Sequence, residues 1–234
     1  MKRIIRSTCF LLAGFTCLST FNLVYAQTAP WDSTHRPAAY IPRTEHFKTY
    51  PKSREDIIFL GNSITAGTDW HELLNNPHAK NRGISGDITF GVLQRLEDII
   101  SGQPAKIFIL IGINDLQWNT PEDMILHNYS RIIKRIKSGS PATSIYFHTL
   151  LPLNPTFKNF KSAYRHKEEN IVKVNAGLKI LAQQEQISLI DLYPHFIDKE
   201  DLLRASYTND GLHLNAAGYS QWAEILKKGR YLED

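Results

Sequence analysis

The chain has 234 residues, 42% of them hydrophobic and 21% charged, and its formal net charge at pH 7 is +4. This length allows one domain with a sizeable hydrophobic core. Three of the basic side chains lie within the first six positions, so the remainder of the chain is close to neutral. That balance argues against a basic nucleic-acid-binding surface, and we predict no nucleic-acid partner.

Residues 1–26 have the pattern of an export signal. A basic start is followed by a largely apolar run over 9–25, and Val24 and Ala26 occupy the −3 and −1 positions of the predicted cleavage site. Because the run is long for a signal, an uncleaved membrane anchor is the alternative. We predict an exported protein, periplasmic or extracellular, whose mature chain makes no integral contact with a membrane.

Both cysteines, Cys9 and Cys17, fall inside this predicted signal. The mature protein is therefore predicted to contain no disulfide, and its fold must rest on its core alone. No later segment approaches the ~18 apolar residues that a membrane-spanning helix needs.

Residues 27–53 are rich in proline, threonine, histidine and aromatic side chains and show no clear period. We predict an irregular arm that lies over the domain, with its aromatic side chains packed against it. These are Trp31, Tyr40, Phe47 and Tyr50. The main domain is then predicted to occupy residues 54–234.

A short buried strand over 56–60 organises the rest of the chain. Four of its five residues are strongly apolar, which is typical of a strand buried on both faces in a parallel sheet. The corner Gly61-Asn62-Ser63 ends this strand and presents a hydroxyl at the carboxyl end of the sheet, where open α/β folds bind ligands. The alternative is an ordinary turn that contains a serine.

Strands and helices alternate along the remaining sequence. Apolar runs predict further strands near 80–82 and over 106–111, 144–148 and 187–191. Helical spacing and helix-start signals predict helices over 69–74, 89–100, 120–138, 168–184 and 216–228, the third capped by Thr120. The segments 149–161 and 193–209 are predicted to be irregular. This alternation calls for a parallel sheet with helices on both faces.

Ser63 has candidate partners for nucleophilic catalysis. A serine hydroxyl is a weak nucleophile and needs a base within hydrogen-bond reach. His213 is the best candidate, because Asp210 lies three residues before it and a tight turn lets the carboxylate hold its Nδ1–H. A surface turn at Asp210-Gly211 is the alternative. The histidines show no metal-ligand spacing such as H-E-x-x-H, and we predict neither a metal nor another cofactor.

Ester hydrolysis also needs donors for the oxyanion of the tetrahedral intermediate. The main-chain N–H groups of Ser63 and Gly86 are candidates, the latter because glycine lets a substrate approach the backbone closely. The Asn114 side chain can add a third N–H from the end of the 106–111 strand. Taken singly, Gly86 is better explained as a turn glycine and Asn114 as a turn-capping side chain.

Four blocks together resemble the SGNH hydrolases, also called the GDSL esterase/lipase family, in the branch of the platelet-activating-factor acetylhydrolases and carbohydrate acetylesterases. In the family's order they are Gly61-Asn62-Ser63-Ile64, the block 81–87 (Asn-Arg-Gly-Ile-Ser-Gly-Asp), Gly112-Ile113-Asn114-Asp115 and Asp210-Gly211-Leu212-His213. The resemblance implies a three-layer α/β/α sandwich with a flavodoxin-like, mostly parallel sheet of five strands. It also implies that Ser63 is the nucleophile, His213 the base and Asp210 its orienter, with Ser63, Gly86 and Asn114 forming the oxyanion hole. Asn62 departs from the family's Asp and lacks its charge.

The substrate is predicted less directly. Trp70 and Trp118 follow the serine and asparagine blocks closely enough to lie near the mouth of the site, although either could be packing instead. We predict a carbohydrate O-acetylesterase whose partner is a small-molecule or glycan ester. A lysophospholipase-like lipid esterase or thioesterase is the second interpretation. A non-catalytic sugar-binding protein on the same fold is the third. The oligomeric state is not predicted.

Overall fold

A computed structural model describes residues 31–233, so the signal predicted for residues 1–26 lies outside the described part of the chain. Five parallel strands form one sheet in the order β2-β1-β3-β4-β5. They are β1 (Ile57–Gly61), β2 (Ala79–Gly83), β3 (Lys106–Leu110), β4 (Ser144–His148) and β5 (Ser188–Ile190). This is the strand order of flavodoxin-like folds, and it confirms the predicted parallel sheet.

Helices connect the strands and cover the sheet. They are α1 (Tyr40–Thr49), α2 (Ser63–Ala66), α3 (Trp70–Leu74), α4 (Thr89–Ile100), α5 (Ile113–Gln117), α6 (Glu122–Gly139), α7 (Glu168–Glu185), α8 (Tyr193–Phe196) and α9 (Ala216–Lys228). Short 3₁₀ turns lie at Ser162–Tyr164 and Ala205–Tyr207. No helix within residues 31–233 is long and apolar enough to cross a membrane.

The two helical layers follow from the alternation of side chains along each strand. In β4, Phe147 packs edge-on against Tyr129 of α6, while the next residue, His148, packs against Trp222 of α9. Helices α4, α6 and α7 pack side by side, and α3 packs against α9. The domain is thus the predicted three-layer α/β/α sandwich. Helices α4, α6 and α7 lie on one face of the sheet, and α3 and α9 lie on the opposite face.

Strands β1 and β3 are buried on both faces, as their apolar runs predict. Every residue of β1 and β3 is buried. On the α9 side, a row of stacked rings runs across the sheet from Trp70 through Phe59 and Phe108 to Tyr146, with centroid distances of 3.9, 5.0 and 4.6 Å. Such rings bury large apolar areas and fix the layers against each other.

The arm over 27–53 is not irregular throughout, because residues 40–49 form helix α1. Its buried anchors, Tyr40 and Phe47, are two helical turns apart, and most residues between them are exposed. Two anchors give too weak a period to reveal a helix. The Tyr40 hydroxyl donates to the carbonyl of Gly91 in α4 at 2.8 Å, which fastens the arm to the domain.

Two further expectations about local structure need correction. Thr120 does not cap α6: the helix begins after Pro121, and the buried Thr120 hydroxyl has no hydrogen-bond partner among residues 31–233. The segment 193–209 is not wholly irregular, since it contains α8 and the second 3₁₀ turn.

Candidate active site

Ser63 is the last residue of the corner that ends β1 and the first residue of α2. The Asn62 side chain caps this short helix, with its Oδ1 accepting from the Ile64 N–H at 2.9 Å. A Cβ on Gly61 would collide with the carbonyl of Leu110 and with the Thr65 side chain. The corner therefore requires a glycine, and Asn62 supplies its acceptor without a negative charge.

The structure brings the predicted serine, histidine and aspartate together. His213 Nε2 lies 3.0 Å from Ser63 Oγ, and His213 Nδ1 lies 2.6 Å from Asp210 Oδ2. The other oxygen, Asp210 Oδ1, accepts from the main-chain N–H groups of His213 at 2.8 Å and Leu212 at 2.9 Å. The same four-residue turn thus holds the carboxylate and aims its second oxygen at the imidazole.

These contacts decide which ring nitrogen carries the hydrogen. Burial alone would raise the pKa of Asp210, but hydrogen bonds from the His213 side chain and from two main-chain N–H groups hold the pKa below its ordinary value. The ionised carboxylate only accepts hydrogen bonds, so His213 Nδ1 donates to it. Nε2 is then free to accept the hydroxyl hydrogen of Ser63.

The three candidate oxyanion donors lie at neighbouring strand ends. The N–H groups of Ser63 and Gly86 have no acceptor within the described chain, and Gly86 has a φ of +80°, a conformation that favours glycine. Asn114 Nδ2 donates one hydrogen to the carbonyl of Asp87 at 2.8 Å. Its second hydrogen remains available for a ligand.

A buried ion pair, not predicted from the sequence, ties the strand ends beneath these donors. Arg95 Nε donates to Asp87 at 3.0 Å, and its two terminal nitrogens donate to the carbonyls of Arg82 at 2.8 Å and Gly61 at 3.1 Å. Burial raises the pKa of Asp87, and the guanidinium of Arg95 opposes this rise. In the sequence, Arg95 is a charged residue on the apolar face of the helix predicted over 89–100. Such a position is a signal for a buried ion pair.

Asp115, the residue after Asn114, joins α5 to the start of α4. Its carboxyl group accepts from the Thr89 N–H at 3.0 and 3.1 Å and from the Thr89 hydroxyl at 2.5 Å. Burial raises the pKa of Asp115 to about 7. The segment that carries Asn114 is therefore anchored to the helix that follows the glycine block.

Tyr164, also not predicted, contacts the oxyanion side of the site. It belongs to the 3₁₀ turn in the loop between β4 and α7, and its hydroxyl lies 2.7 Å from Asn114 Oδ1. This loop shows no period in the sequence, so nothing there indicated which side chain would reach the site.

The two predicted tryptophans have different surroundings. Trp70 does not lie at the mouth: it is fully buried, stacks on Phe59 and donates through Nε1 to the carbonyl of Thr65 at 2.9 Å. Its helix turns it into the core between the sheet and α9. Trp118 is 41% exposed and packs against the ring of His35 at 4.5 Å, so its contact with substrate stays a prediction.

A cavity beside α2 lies away from this site. It has a volume of about 690 Å³, lies at the outer edge of β2 and is lined by residues such as Gly67, Lys80 and Arg82, but by none of the five candidate residues. Within residues 31–233, no group of three or more histidine, cysteine, aspartate or glutamate side chains could hold a metal ion.

The chain is a carboxylic ester hydrolase, a class supported by its family and by the three-layer fold that it shares with a solved structure described as an acylhydrolase. Residues 59–221 match the GDSL-like Lipase/Acylhydrolase family, and the chain belongs to that family. The resemblance noted from the four blocks is thereby confirmed. Membership also favours an enzyme over the non-catalytic sugar-binding protein considered from the sequence.

Known relatives cover most of the chain. It is 29% identical over 178 residues to the platelet-activating factor acetylhydrolase IB subunit alpha2 of Rattus norvegicus, covering 73% of this chain and 74% of that protein. A solved Streptococcus pneumonia structure, provisionally described as a platelet activating factor, is 30% identical with a TM-score of 0.74, covering 82% and 91% of the two chains. A GDSL-like lipase of Bacteroides thetaiotaomicron is 25% identical with a TM-score of 0.68, covering 81% and 96%.

Proposed function

We propose that this protein is an exported serine esterase that removes small acyl groups, above all acetyl, from carbohydrate esters. The observation that carries the proposal is the hydrogen-bonded series from Ser63 Oγ through His213 to Asp210, with distances of 3.0 and 2.6 Å. A hydroxyl, an imidazole and a carboxylate in this order are the parts of a serine-nucleophile mechanism.

In the first half of the proposed reaction, Ser63 becomes acylated. His213 Nε2 takes the hydroxyl proton while Ser63 Oγ attacks the ester carbonyl carbon, and the tetrahedral intermediate forms. Its oxyanion accepts from the N–H groups of Ser63 and Gly86 and from Asn114 Nδ2, which stabilise charge that develops only in the transition state. His213 then gives its proton to the departing alcohol as the ester bond breaks.

In the second half, water replaces the alcohol. His213 Nε2 takes a proton from the water, the resulting hydroxide attacks the acyl carbon, and the proton passes to Ser63 Oγ as the acid leaves. Asp210 stays ionised throughout and stabilises the imidazolium that forms in each half. The depressed pKa of Asp210 supports this role.

A short acyl group is supported by the surroundings of Gly86. A Cβ at Gly86 would lie 3.0 Å from the Cβ of Pro37, so the N-terminal segment limits the space on that side of this candidate donor. The relative named as an acetylhydrolase supports the same acyl group. The exposed indole of Trp118, packed on His35, is a surface on which a sugar ring could stack.

A lipid ester is the second candidate for the alcohol part, since the matched family is also named for lipases. One panel of substrates distinguishes the carbohydrate esterase from the lipid esterase. Rates for p-nitrophenyl esters from acetate to long acyl chains are compared with acetate release from acetylated sugars. Fast acetate release from sugars with a steep fall beyond short chains would support the carbohydrate esterase, and a preference for long chains would support the lipid esterase.

The catalytic proposal is tested with Ser63→Ala. Its kcat should fall by about 10⁴-fold or more, because only oxyanion stabilisation and binding remain. Intact mass during turnover should show an acetyl adduct in the wild type and none in the variant. Ser101→Ala, a change at the exposed end of α4, is the matched control and should retain full activity. A folded Ser63→Ala protein with near-wild-type turnover would contradict the proposal.

Export is tested separately, by expressing the full chain in a Gram-negative host and measuring the mass of the protein recovered outside the cytoplasm. A mature chain that begins at Gln27 is expected. Full-length protein retained in the membrane fraction would instead support the anchor alternative.

A further inference from the structure

The loop between β4 and α7 supplies a buried hydroxyl to the oxyanion side of the site. Tyr164 is 5% exposed, and its hydroxyl lies 2.7 Å from Asn114 Oδ1. An amide oxygen can only accept, so the tyrosine donates this hydrogen bond. Burial, with a further contribution from the charge of Asp210, raises the pKa of Tyr164 to about 12, and the hydroxyl therefore keeps its proton.

The hydrogen bonds of Asn114 leave one group free. Its Oδ1 accepts from Tyr164, and one Nδ2 hydrogen is donated to the carbonyl of Asp87 at 2.8 Å. Hydrogen bonds thus hold the Asn114 carboxamide at both Oδ1 and Nδ2. Because one partner is an O–H donor and the other a carbonyl acceptor, they also determine which way the amide faces. The remaining Nδ2 hydrogen is the one assigned to the oxyanion.

The Tyr164 bond also affects the strength of that donor. A hydrogen bond to an amide oxygen draws electron density from the nitrogen, so chains of hydrogen bonds strengthen one another in a buried site. Rotation of the amide about its last bond would place Oδ1 against the Asp87 carbonyl and Nδ2 against the Tyr164 hydroxyl. Removing the tyrosine oxygen lowers the free-energy cost of this rotation. Asn114 Nδ2 would then be held less firmly in the position from which it donates to the oxyanion.

The same loop holds the other half of the site. The Asn154 N–H donates to the carbonyl of Gly211 at 2.8 Å, and a Cβ on Gly211 would collide with the Asn154 carbonyl. Asn159 Nδ2 donates to the carbonyl of Asn209 at 3.3 Å. One segment therefore contacts both the turn that carries Asp210 and the side chain of Asn114.

We propose that Tyr164 is a positioning residue for ester hydrolysis: its hydroxyl holds the Asn114 carboxamide with Nδ2 towards the oxyanion, and its loop keeps that donor in register with the Asp210–His213 turn. This inference rests on the proposed function, because it assigns Tyr164 a role in the same transition state.

The test is Tyr164→Phe, which removes only the hydroxyl. We expect kcat for p-nitrophenyl acetate to fall by about tenfold, less than for loss of a direct donor, with KM unchanged. Tyr40→Phe is the matched control, because it deletes another buried hydroxyl that donates a 2.8 Å bond, here to the Gly91 carbonyl. It should lower thermal stability at most and leave kcat unchanged. Titration of reactive serine normalises each rate to folded enzyme.

A double-mutant cycle with Asn114→Ala separates positioning from general loosening of the fold. With the amide removed, Tyr164→Phe should have no further effect on kcat, because its role passes through Asn114. A full tenfold loss in that background, a rise in KM alone, or wild-type kcat in the single variant would each overturn the inference. Failure here leaves the Ser63→Ala result intact, whereas activity without Ser63 would remove the proposed function itself.

Discussion

Asp210→Asn provides the sharpest test of the hydrogen-bond geometry around His213. In the wild type, Asp210 Oδ1 accepts two main-chain N–H groups at 2.8 and 2.9 Å, and Oδ2 faces His213 Nδ1 at 2.6 Å. An asparagine must keep its oxygen on the two N–H donors, so its NH₂ group faces Nδ1. The histidine is then forced to carry its hydrogen on Nε2, where it can no longer accept from Ser63.

The size of the effect follows from these contacts. Flipping the amide to restore the correct tautomer would break two main-chain hydrogen bonds, at a cost of about 2 kcal/mol, so only about one molecule in thirty would be flipped. The neutral amide also fails to stabilise the imidazolium of the transition state. Together these effects should lower kcat by about 10⁴-fold, as the same change does in a serine protease.

The assay is the kcat for p-nitrophenyl acetate, with Asp198→Asn as the matched control. Asp198 Oδ1 also accepts two main-chain N–H groups, from Glu200 and Leu202, each at 3.0 Å, but the Asp198 side chain forms no hydrogen bond with a candidate residue of the described chain. The control should keep full activity. An Asp210→Asn protein whose kcat stays within tenfold of the wild type would refute the tautomer argument and point to another group that orients His213.

Two further predictions concern the oxyanion and the core. Asn114→Ala should lower kcat by about 10²–10³-fold with KM little changed, and a rise in KM alone would make Asn114 a substrate-positioning residue instead. Burial lowers the pKa of His148 to about 3, so the unfolded state takes up its proton first as pH falls below about 6.5. The free energy of unfolding should then drop by about 1.4 kcal/mol per pH unit towards pH 3, and His148→Gln should flatten this slope in urea titrations. Equal slopes in the two proteins would exclude His148 as its source.

The sheet and most of the helices could be predicted because their signals are local. Strands β1 and β3 are continuous apolar runs closed by glycine, and their burial on both faces is what such runs report. The Asp210–His213 pairing was also accessible, because three residues of separation confine it to one turn. By contrast, α1 has two buried anchors in ten residues and was missed.

Side chains whose place depends on packing were predicted poorly. Trp70 follows Ser63 by seven positions, and only the turn of α3 decides that its ring enters the core and stacks on Phe59. Tyr164 lies in a loop whose path is set by contacts with distant main chain, such as that between Asn154 and Gly211. The hydrophobic periodicity of the sequence predicts neither the burial of Trp70 nor the position of Tyr164.

The order of the strands explains why the candidate oxyanion donors surround the serine. Strand β1 pairs with β2 on one side and β3 on the other, so that Gly61 lies beside Gly83 and Leu110. The chain leaves these three aligned positions in the same direction, at one edge of the sheet. A candidate donor follows within four residues of each: Ser63 after β1, Gly86 after β2 and Asn114 after β3. If β1 were an edge strand, it would have only one neighbouring strand, and one of the two neighbouring donors would be lost. The interior place of β1 in the sheet therefore lets candidate donors from both neighbouring strands lie on either side of the serine.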